Sequence, residues 1–522
     1  MRKHFKSAAT LNLPQPSATA RGAIRDAASP PKLATSRLFF LPPFPRSTSV
    51  LFIPHFLSDN FDNQSIHYQE DSVKKLLRAP RGARFKTFLI ASPALCRMLA
   101  AVAILIFSLH PATLIAGGFQ VSDHGAAGAG RARAYVASVM DASAVYHNPA
   151  AMAFFKSGLN LNLTGTLLAP QSVFQQPSGA GVTTTYTNGG PTGIPAGYLT
   201  YTSETGFALG IGAYFPYGLG IDWPTTGGDG QAWAGRGIIT NLSLRNLFVT
   251  GNVAYRFSDQ FSLSAGISFI SGTAKLQRNI TDFGSPEGRV TLDGTGTGIG
   301  FNGALMFKPD PAVSIGLTYK SQINMTYKGD AVFTSPGTLS EADFPDGPGS
   351  VALPLPSSFK AGIAYRPAMM SESFILKNLE FEADFDYHLW SAYSELPISF
   401  EKTSLYVDAI SVSQKNFQNS YTISFAAETR WTEKVRVRAG FLYDKAAVPD
   451  GYVEPLLPDA DRLGVSVGFG YEFAENIGVD VAGVFVRANQ RTQTTALQEP
   501  AGLTGTYNTS SPVVSASLRV KF

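Results

Sequence analysis

The chain is poor in the residues that would indicate a disulfide-stabilised, metal-binding or helical membrane protein. It has one cysteine, Cys96, in 522 residues, which excludes an internal disulfide framework and a cysteine-based metal site. No interior stretch offers the roughly 20 consecutive apolar residues of a membrane-spanning helix. It also lacks HExxH and P-loop motifs, and the sequence predicts neither an enzyme nor a cofactor.

Charged residues are scarce as well, at 15% of the chain against about 25% in ordinary globular proteins. Glycine and aromatic residues are plentiful instead, with 50 Gly, 37 Phe and 20 Tyr. Low charge combined with many glycine and aromatic residues is typical of a transmembrane β-barrel.

The positive charge of the chain is concentrated at its start. Residues 1–97 contain 15 Lys or Arg and five Asp or Glu, a net charge of +10. The whole chain carries +4, so residues 98–522 carry a net charge of −6. The basic character therefore does not indicate nucleic-acid binding by the folded part.

Residues 98–116 have the layout of a secretory signal peptide. The apolar run MLAAVAILIFSL directly follows Arg97, and small residues follow it, so we expect cleavage after Ala116 or Gly117. The run is too short for a comfortable membrane span. Residues 1–97 are rich in Pro, Ser and Arg near their start, and we interpret them as either a misassigned start or a disordered extension.

The sequence after the leader alternates between apolar and polar residues with a period of two. The stretch LFVTGNVAYRF, which begins at Leu247, places Val249 and Val253 on one face and Thr250 and Asn252 on the other. The C-terminal stretch VVSASLRVKF repeats this pattern. Such alternation indicates strands with one apolar and one polar face.

About fourteen such segments predict an all-β fold, a transmembrane antiparallel β-barrel. Alternation also fits a soluble β-sandwich, but the low charge, the signal peptide and the aromatic residues at strand ends favour the membrane. We expect short periplasmic turns at 258–260, 432–434 and 474–476. We expect long outer loops at about 217–245, 279–297, 329–356 and 444–461.

Several segments, in their order and spacing, resemble the FadL-type family of outer-membrane transporters of long-chain fatty acids and other hydrophobic compounds. The similar motifs are AGGFQVSDHGAAGAGRARAYVASVMDASAVYHNPAAMAFF after the leader, then FPYGLGIDWP, WAGR, LPLPSSFKAGIAYR and AVPDGYVEPLLPDADRLGVSVGFGYEF. The resemblance covers about 117–522. It implies a fourteen-stranded outer-membrane barrel, residues 159–522, whose N-terminal segment, residues 117–158, is a hatch inside the lumen.

The step Asn148-Pro149-Ala150 lies within a small and apolar part of this segment. Proline lacks a backbone donor and disfavours helical geometry at the preceding residue, so we expect a helix to stop at Asn148 and a new turn to begin at Pro149. In the family this step belongs to the hatch. The resemblance therefore implies a gating role for these three residues.

The resemblance also implies ligand-binding positions. Arg278 in AKLQR and Lys415 in SQKNF align with basic pocket residues of the family, where a cation would hold a fatty-acid carboxylate. The alternative for both is a solvated loop or lumen charge. Phe215 in FPYGL replaces a serine of the family motif, which makes the pocket more apolar and leaves room for alkanes or aromatic hydrocarbons.

A third feature is the glycine-rich stretch GFALGIGAYFPYGLGIDWP, which contains Pro216. Glycine and proline within a strand often mark a bulge or bend, and the family has a kinked third strand with a lateral opening here. The alternative is a simple transition from strand to loop.

The sequence thus predicts passive transport of long-chain fatty acids or other hydrophobic compounds, with hatch-gated lateral release. Two alternatives are an uptake channel for aromatic or alkane hydrocarbons and a generic diffusion porin. The expected partners are the hydrophobic ligand, outer-membrane lipid and the barrel-assembly machinery, which the terminal Phe522 would engage, but no nucleic acid.

Overall fold

The computed structural model describes residues 117–522 apart from 179–180, 284, 368–371, 495–496 and 498–502, so the predicted leader, 1–116, lies outside the described residues. The strands in the described part, in chain order, are β1 (Gly158–Leu168), β2 (Gln171–Ser178), β3 (Gly181–Tyr186), β4 (Thr192–Thr202), β5 (Phe207–Asp222), β6 (Asn241–Arg256), β7 (Phe261–Ile280), β8 (Gly288–Asp310), β9 (Val313–Lys320), β10 (Ile323–Thr334), β11 (Gly347–Leu355), β12 (Ser358–Tyr365), β13 (Glu380–His388), β14 (Glu395–Phe400), β15 (Ile410–Gln414), β16 (Ser420–Arg430), β17 (Val435–Asp444), β18 (Arg462–Ala474), β19 (Ile477–Ala488), β20 (Arg491–Gln493) and β21 (Gly505–Lys521).

Helices are short. The α-helices are α1 (Ala126–Ala129), α2 (Ala144–His147) and α3 (Phe374–Lys377), and the 3-10 helices are Pro149–Phe154, Ala234–Gly237 and Trp390–Ala392. Within the described part of the chain, none of the helices has the length and hydrophobicity to cross a bilayer.

Fourteen of the described strands pair edge to edge in a closed antiparallel ring. The order around the ring is β1, β4, β5, β6, β7, β8, β9, β12, β13, β16, β17, β18, β19, β21 and back to β1. The predicted barrel and its strand number are therefore confirmed. Because the ring is closed it has no terminal strand, which suits a sheet in lipid, where backbone groups cannot bond to water.

The two faces of each ring strand differ as the alternation predicts. In β6, Val249 and Val253 are exposed on the outside, whereas Thr250 and Asn252 point inward and are buried. The inner face is polar where the first and last strands meet. There the hydroxyl of Thr164 lies 2.7 Å from that of Ser517.

Three of the four predicted outer loops are shorter than expected because their strands continue further, whereas the loop predicted at about 444–461 lies between β17 and β18 as expected. β7 and β8 stay paired as far as Ile280 and Gly288, so most of the predicted loop 279–297 is strand. Similarly, β10 and β11 form a hairpin within the predicted loop 329–356. Backbone pairing needs no apolar side chains, so hydropathy alone does not mark where these strands end.

The outward face can be tested with a matched pair of valines. Val467 in the ring strand β18 is 67% exposed, and Val182 in the outer strand β3 is 65% exposed. Val467→Arg is expected to lower the free energy of unfolding in lipid vesicles by about 2–4 kcal/mol, because the charge enters the bilayer. Val182→Arg should change it little. Equal losses in a denaturant titration would contradict the assignment of the lipid-facing wall.

Candidate functional site

The N-terminal segment, residues 117–157, lies inside the barrel lumen and is almost entirely buried. Its backbone bonds to widely separated parts of the ring. The Gly130 carbonyl accepts from Ser466 Oγ of β18 at 3.0 Å, and the Ala150 carbonyl accepts from Ser262 Oγ of β7, seven strands away around the ring, at 2.8 Å. The segment therefore blocks the lumen between opposite walls.

The chain interruption predicted at Asn148 is present. Helix α2 ends at His147, and a 3-10 helix begins at Pro149. Asn148 is fully buried, and its Oδ1 accepts from the Ala150 N–H at 3.1 Å, which caps the new helix. Its Nδ2 donates to the Leu305 carbonyl of β8 at 3.2 Å. The step thus ties the segment to the wall, and its gating role stays a prediction.

A buried ionic cluster fixes the centre of the N-terminal segment. Arg131 is fully buried, and its guanidinium lies 3.0 Å from Glu380, 2.8 Å from Glu382 and 3.1 Å from Glu428. The glutamates come from β13 and β16 of the ring, so one cation of the segment binds three carboxylates of the wall. Its Nε donates to the Ala134 carbonyl at 3.0 Å, which orients the guanidinium.

The same strand of the ring holds the adjoining backbone of the segment. Glu382 accepts from the Ala137 N–H at 2.6 Å. Asp384 accepts from the N–H groups of Tyr135 and Val136 at 2.9 and 3.2 Å. We refer to Arg131, residues 135–138 and the acidic residues of β13 and β16 that bind them as the latch.

The sequence reasoning missed the latch. Its partners lie about 250 to 300 residues apart along the chain, which no local motif can show. One signal was present: EFEADFD places Glu380, Glu382, Asp384 and Asp386 on one face of a strand. A row of carboxylates on a lumen face requires cations opposite it, because unpaired buried charges are costly.

The wall is incomplete at β5, the third strand of the ring. β4 pairs with β5 only from Ala208 to Ala213. Against β6, the register of β5 shifts between Tyr214 and Tyr217, so that Phe215 and Pro216 form a bulge. The bend expected in this glycine-rich stretch is therefore confirmed.

The N-terminal segment occupies the edge of β5 that β4 leaves free. The Val121 N–H donates to the Pro216 carbonyl at 2.8 Å, and the Gly218 N–H donates to the Phe119 carbonyl at 3.0 Å. Phe215 is half-buried and packs against an apolar cluster that includes Val121. Residues 119–121 thus act as a short substitute strand that closes the gap.

An apolar slot lies beyond this bulge, among residues far from the short turns. Phe119 forms part of its lining, and the ring of Phe119 packs edge-on against Trp390 at a centroid distance of 4.7 Å. The cavity measures about 40 Å³, room for a few waters only. Its lining residues are Phe119, Leu219, Leu242, Leu244, Ala274, Leu276, Tyr327, Val351, Leu353, Tyr393, Leu396, Leu456 and Leu457.

Lys415 lies beside the slot, in a buried ion pair. Its side chain is 2% exposed, and its ammonium binds the carboxylate of Glu454. The Lys415 backbone N–H donates to the carbonyl of Ser394, which follows Tyr393 of the slot, and Glu454 pairs across a turn with Leu457 of the slot. A charged pair therefore sits at the edge of an otherwise apolar cavity.

Arg278 is in a different environment, at the outer end of β7. Its side chain is exposed, and Nη1 donates to the Gly237 carbonyl at 3.2 Å. Next to Gly237, Arg236 binds Glu287 at 2.6 Å, and these hydrogen bonds hold the pKa of Glu287 below its usual value. Arg278 thus belongs to contacts among the outer loops, and the described residues that line the slot do not include it.

Comparison with known proteins places these features in context. A family model described as outer membrane protein transport protein (OMPP1/FadL/TodX) matches residues 109–522. The chain is 24% identical to outer membrane protein P1 of Haemophilus influenzae, over 72% of this chain and 87% of that protein. It is 23% identical to the long-chain fatty acid transport protein of Escherichia coli, over 70% and 86%.

Two solved structures share the fold. A Pseudomonas aeruginosa FadL homologue superposes with a TM-score of 0.67 at 20% identity, covering 78% of this chain and all of that one. The Pseudomonas putida toluene transporter TodX gives a TM-score of 0.59 at 14% identity, covering 78% and 99%. Both likenesses extend over essentially the complete solved chains.

Proposed function

Because the chain belongs to the OMPP1/FadL/TodX family of outer membrane transport proteins, we propose that it carries hydrophobic molecules passively across the outer membrane. Residues 117–158 act as a hatch, and residues 159–522 form the barrel that the hatch closes. The transport has no chemical step and no catalytic residue. Relatives are named for long-chain fatty acids and for toluene, and both ligand types are candidates for this chain.

The proposal rests on the position of Phe119, which lies both at the slot and at the gap in the wall. Its side chain lines the apolar slot, while its carbonyl helps to close the gap beside β5. The slot is too small for a hydrocarbon chain, so a ligand that enters must displace side chains, and Phe119 is the one that belongs to the hatch. Displacing Phe119 would pull residues 119–121 off β5. Ligand binding and wall opening are thus mechanically coupled.

Release follows through the opened wall. With residues 119–121 withdrawn, residues 214–221 of β5 would have no ladder partner on the β4 side. A hydrophobic molecule leaving there enters the bilayer directly, without crossing water. Asn148, Pro149 and Ala150 support the movement, because a helix that is already interrupted can shift without unwinding a strand.

The slot suits the hydrocarbon part of a ligand. Its lining contains no cation, and an uncompensated carboxylate buried there would cost several kcal/mol. A fatty acid would therefore place its chain in the slot and its carboxylate beside Lys415. An ammonium has three donors, and Glu454 is the acidic partner of Lys415, so donors remain for a ligand. An alkane or aromatic hydrocarbon needs no such partner.

We expect cells that carry the protein to take up both labelled oleate and labelled toluene faster than matched cells without it. Lys415→Met with Glu454→Gln should weaken oleate binding about tenfold, since a charge-assisted hydrogen bond contributes roughly 1.5–3 kcal/mol. Toluene binding should not change. The double change avoids leaving one buried charge unpaired.

Arg278→Ala is the matched comparison for the second predicted cation. A selective loss of oleate binding in this variant, with none in the Lys415 variant, would assign the carboxylate to Arg278 instead. Equal losses for oleate and toluene in the Lys415 variant would mean that the pair supports packing of the slot. If the wild-type protein raised the uptake of neither molecule, the proposed transport would be wrong.

We further propose that residues 1–116 are absent from the mature protein. The signal-peptide layout of 98–116 motivates this proposal. Mass spectrometry of protein extracted from membranes should find an N-terminus near Gly117 or Gly118, and a retained Met1 would contradict it.

The C-terminal residue is proposed to engage the barrel-assembly machinery. Phe522 directly follows β21 and is 62% exposed, and its N–H donates to the Leu159 carbonyl of the first strand at 2.8 Å. An exposed aromatic residue at the strand that closes the ring is available for recognition before closure.

A further inference from the structure

The wall has a second gap, between β8 and its neighbours on the side away from β7. β8 pairs with β9 up to Asn302, which lies opposite Lys320, and pairs with β10 again from Thr295, which lies opposite Lys328. The six residues of β8 between these points face seven residues of the neighbouring chain and form no ladder with them. We refer to residues 296–301 and 321–327 as the seam.

The neighbours of the seam stay together. Lys320 of β9 pairs with Ser358 of β12, and Ile323 of β10 pairs with Leu355 of β11. The pairing register of β9 with β12 continues unchanged into that of β10 with β11, across residues 321–322. These four strands therefore form one continuous two-stranded ribbon. The ribbon therefore stays beside β8 along the seam but forms no regular ladder with it. At the lower end of the seam, the Ser321 N–H donates to the Phe301 carbonyl at 2.9 Å.

The inner face of the seam has no side chains of its own on β8. The inward positions are Gly296, Gly298 and Gly300, and the side chains of Ile323 and Met325 lie over Gly298 and Gly300. A Cβ at Gly298 would be 2.6 Å from Met325 Sδ, and one at Gly300 would be 2.6 Å from Ile323 Cδ1. Two flexible apolar side chains therefore fill the place where a wall would normally have fixed ones.

A small cavity leads to the seam from the lumen. It measures about 30 Å³, and its lining runs from Pro149 of the N-terminal segment, past Tyr217 of the β5 bulge, to Gly300, Phe301 and Ile323 of the seam. The cavity thus connects the interrupted helix of the proposed hatch with both gaps in the wall.

An apolar groove of about 870 Å³ begins on the other side of the wall. It lies on the outward faces of the wall from β6 to β13, and it shares Gly303, Thr318 and Tyr319 with the inner cavity. Phe301, at the lower end of the seam, is 60% exposed on that face. It lies about ten residues above the short turn after Asp310, within the roughly 9–11 residues that a strand needs to cross the membrane.

We propose that the seam is a second lateral port, through which the transported hydrophobic molecule passes from the lumen into the groove and the bilayer. The proposal rests on the proposed transport function and adds an exit remote from the gap beside β5. The unpaired backbone allows β8 and the ribbon to part without breaking a ladder. Rotation of Ile323 and Met325 clears the glycine face, and the groove receives the apolar chain of the ligand.

A reversible staple across the seam tests the port. A Cβ at Gly300 would lie 3.6 Å from Ser321 Oγ, within reach of a disulfide, so Gly300→Cys with Ser321→Cys can lock the two edges. Oxidation should remove about half of the oleate uptake by cells, because one of two parallel exits is closed, and reduction should restore it. Unchanged uptake in the oxidised protein would overturn the proposal, provided that wild-type protein transports oleate.

A second variant avoids any disturbance inside the barrel. A Cβ at Gly303 would meet only Ser264 O, at 3.7 Å, and one at Gly483 on β19 would meet nothing within 4 Å. Both glycines face outward. Gly303→Leu should obstruct the mouth of the port and lower oleate uptake, whereas Gly483→Leu should not. Equal uptake in the two variants would mean that the groove holds bilayer lipid only, and it would overturn the port.

Discussion

Replacing Arg131 with methionine is expected to open the lumen to ions. The guanidinium is fully buried and binds Glu380, Glu382 and Glu428 of the wall. Glu380 keeps Arg366 and Glu428 keeps Arg436 and Arg438, but Glu382 has no other ion-pair partner among the described residues. Leaving one partner of a buried ion pair without its counter-charge costs about 3–5 kcal/mol. That cost falls on the state in which the N-terminal segment is docked. It shifts the equilibrium between the docked and the released segment by roughly two to three and a half orders of magnitude.

Single-channel recording in planar bilayers measures this effect. The wild-type protein should pass little current, because the segment fills the lumen, and Arg131→Met should show frequent open events. A generic diffusion porin would conduct steadily in both forms. The barrel itself should remain intact, with β-rich circular dichroism and heat-modifiable gel mobility.

Arg133→Met is the matched control. Arg133 is also buried and ion-paired, but its guanidinium binds Asp123 at 2.9 Å, and both residues belong to the N-terminal segment. This variant loses a buried ion pair without losing a contact with the wall. Equal conductance in the two variants would show that general loosening of the segment, and not the latch, controls the current.

The faces of the strands could be predicted from the sequence because they depend on neighbouring residues. Val249 and Val253 alternate with Thr250 and Asn252, and a period of two puts the two sets on opposite sides of a sheet whatever the rest of the chain does. The interruption at Asn148 was predictable for the same reason, since Pro149 restricts its own neighbour.

The latch and the seam could not be predicted in this way. Arg131 finds its partners only when β13 and β16 face the lumen, and nothing near Arg131 in the sequence marks it. The glycines of the seam lie at the end of a stretch expected to be an outer loop, because GTGTGIG has no apolar alternation. The family resemblance predicts the same ligand-binding role for Lys415 and Arg278. Their different surroundings depend on how the loops pack in three dimensions, and the similarity of two short motifs gives no information about that packing.

A reversible tether between the N-terminal segment and the wall tests the gating claim most directly. A Cβ at Gly210 of β5 would lie 2.7 Å from Val145 Cγ2 of helix α2, so a disulfide can join Val145→Cys and Gly210→Cys with little movement. The other near atoms belong to the Met152 side chain, which is flexible.

The control places the same bond within the wall, where nothing is proposed to move. Thr492 and Thr506 lie directly opposite each other on β20 and β21, and their hydroxyls are 3.0 Å apart, within reach of a disulfide. Thr492→Cys with Thr506→Cys should therefore leave transport unchanged whether oxidised or reduced.

The measurement is oleate uptake by cells carrying each variant, first oxidised and then reduced. If the N-terminal segment must move, the oxidised tether between Val145→Cys and Gly210→Cys abolishes uptake, and reduction restores it to the level of the wall control. If uptake through the oxidised tether equals that of the control, the segment does not gate transport and the account is wrong.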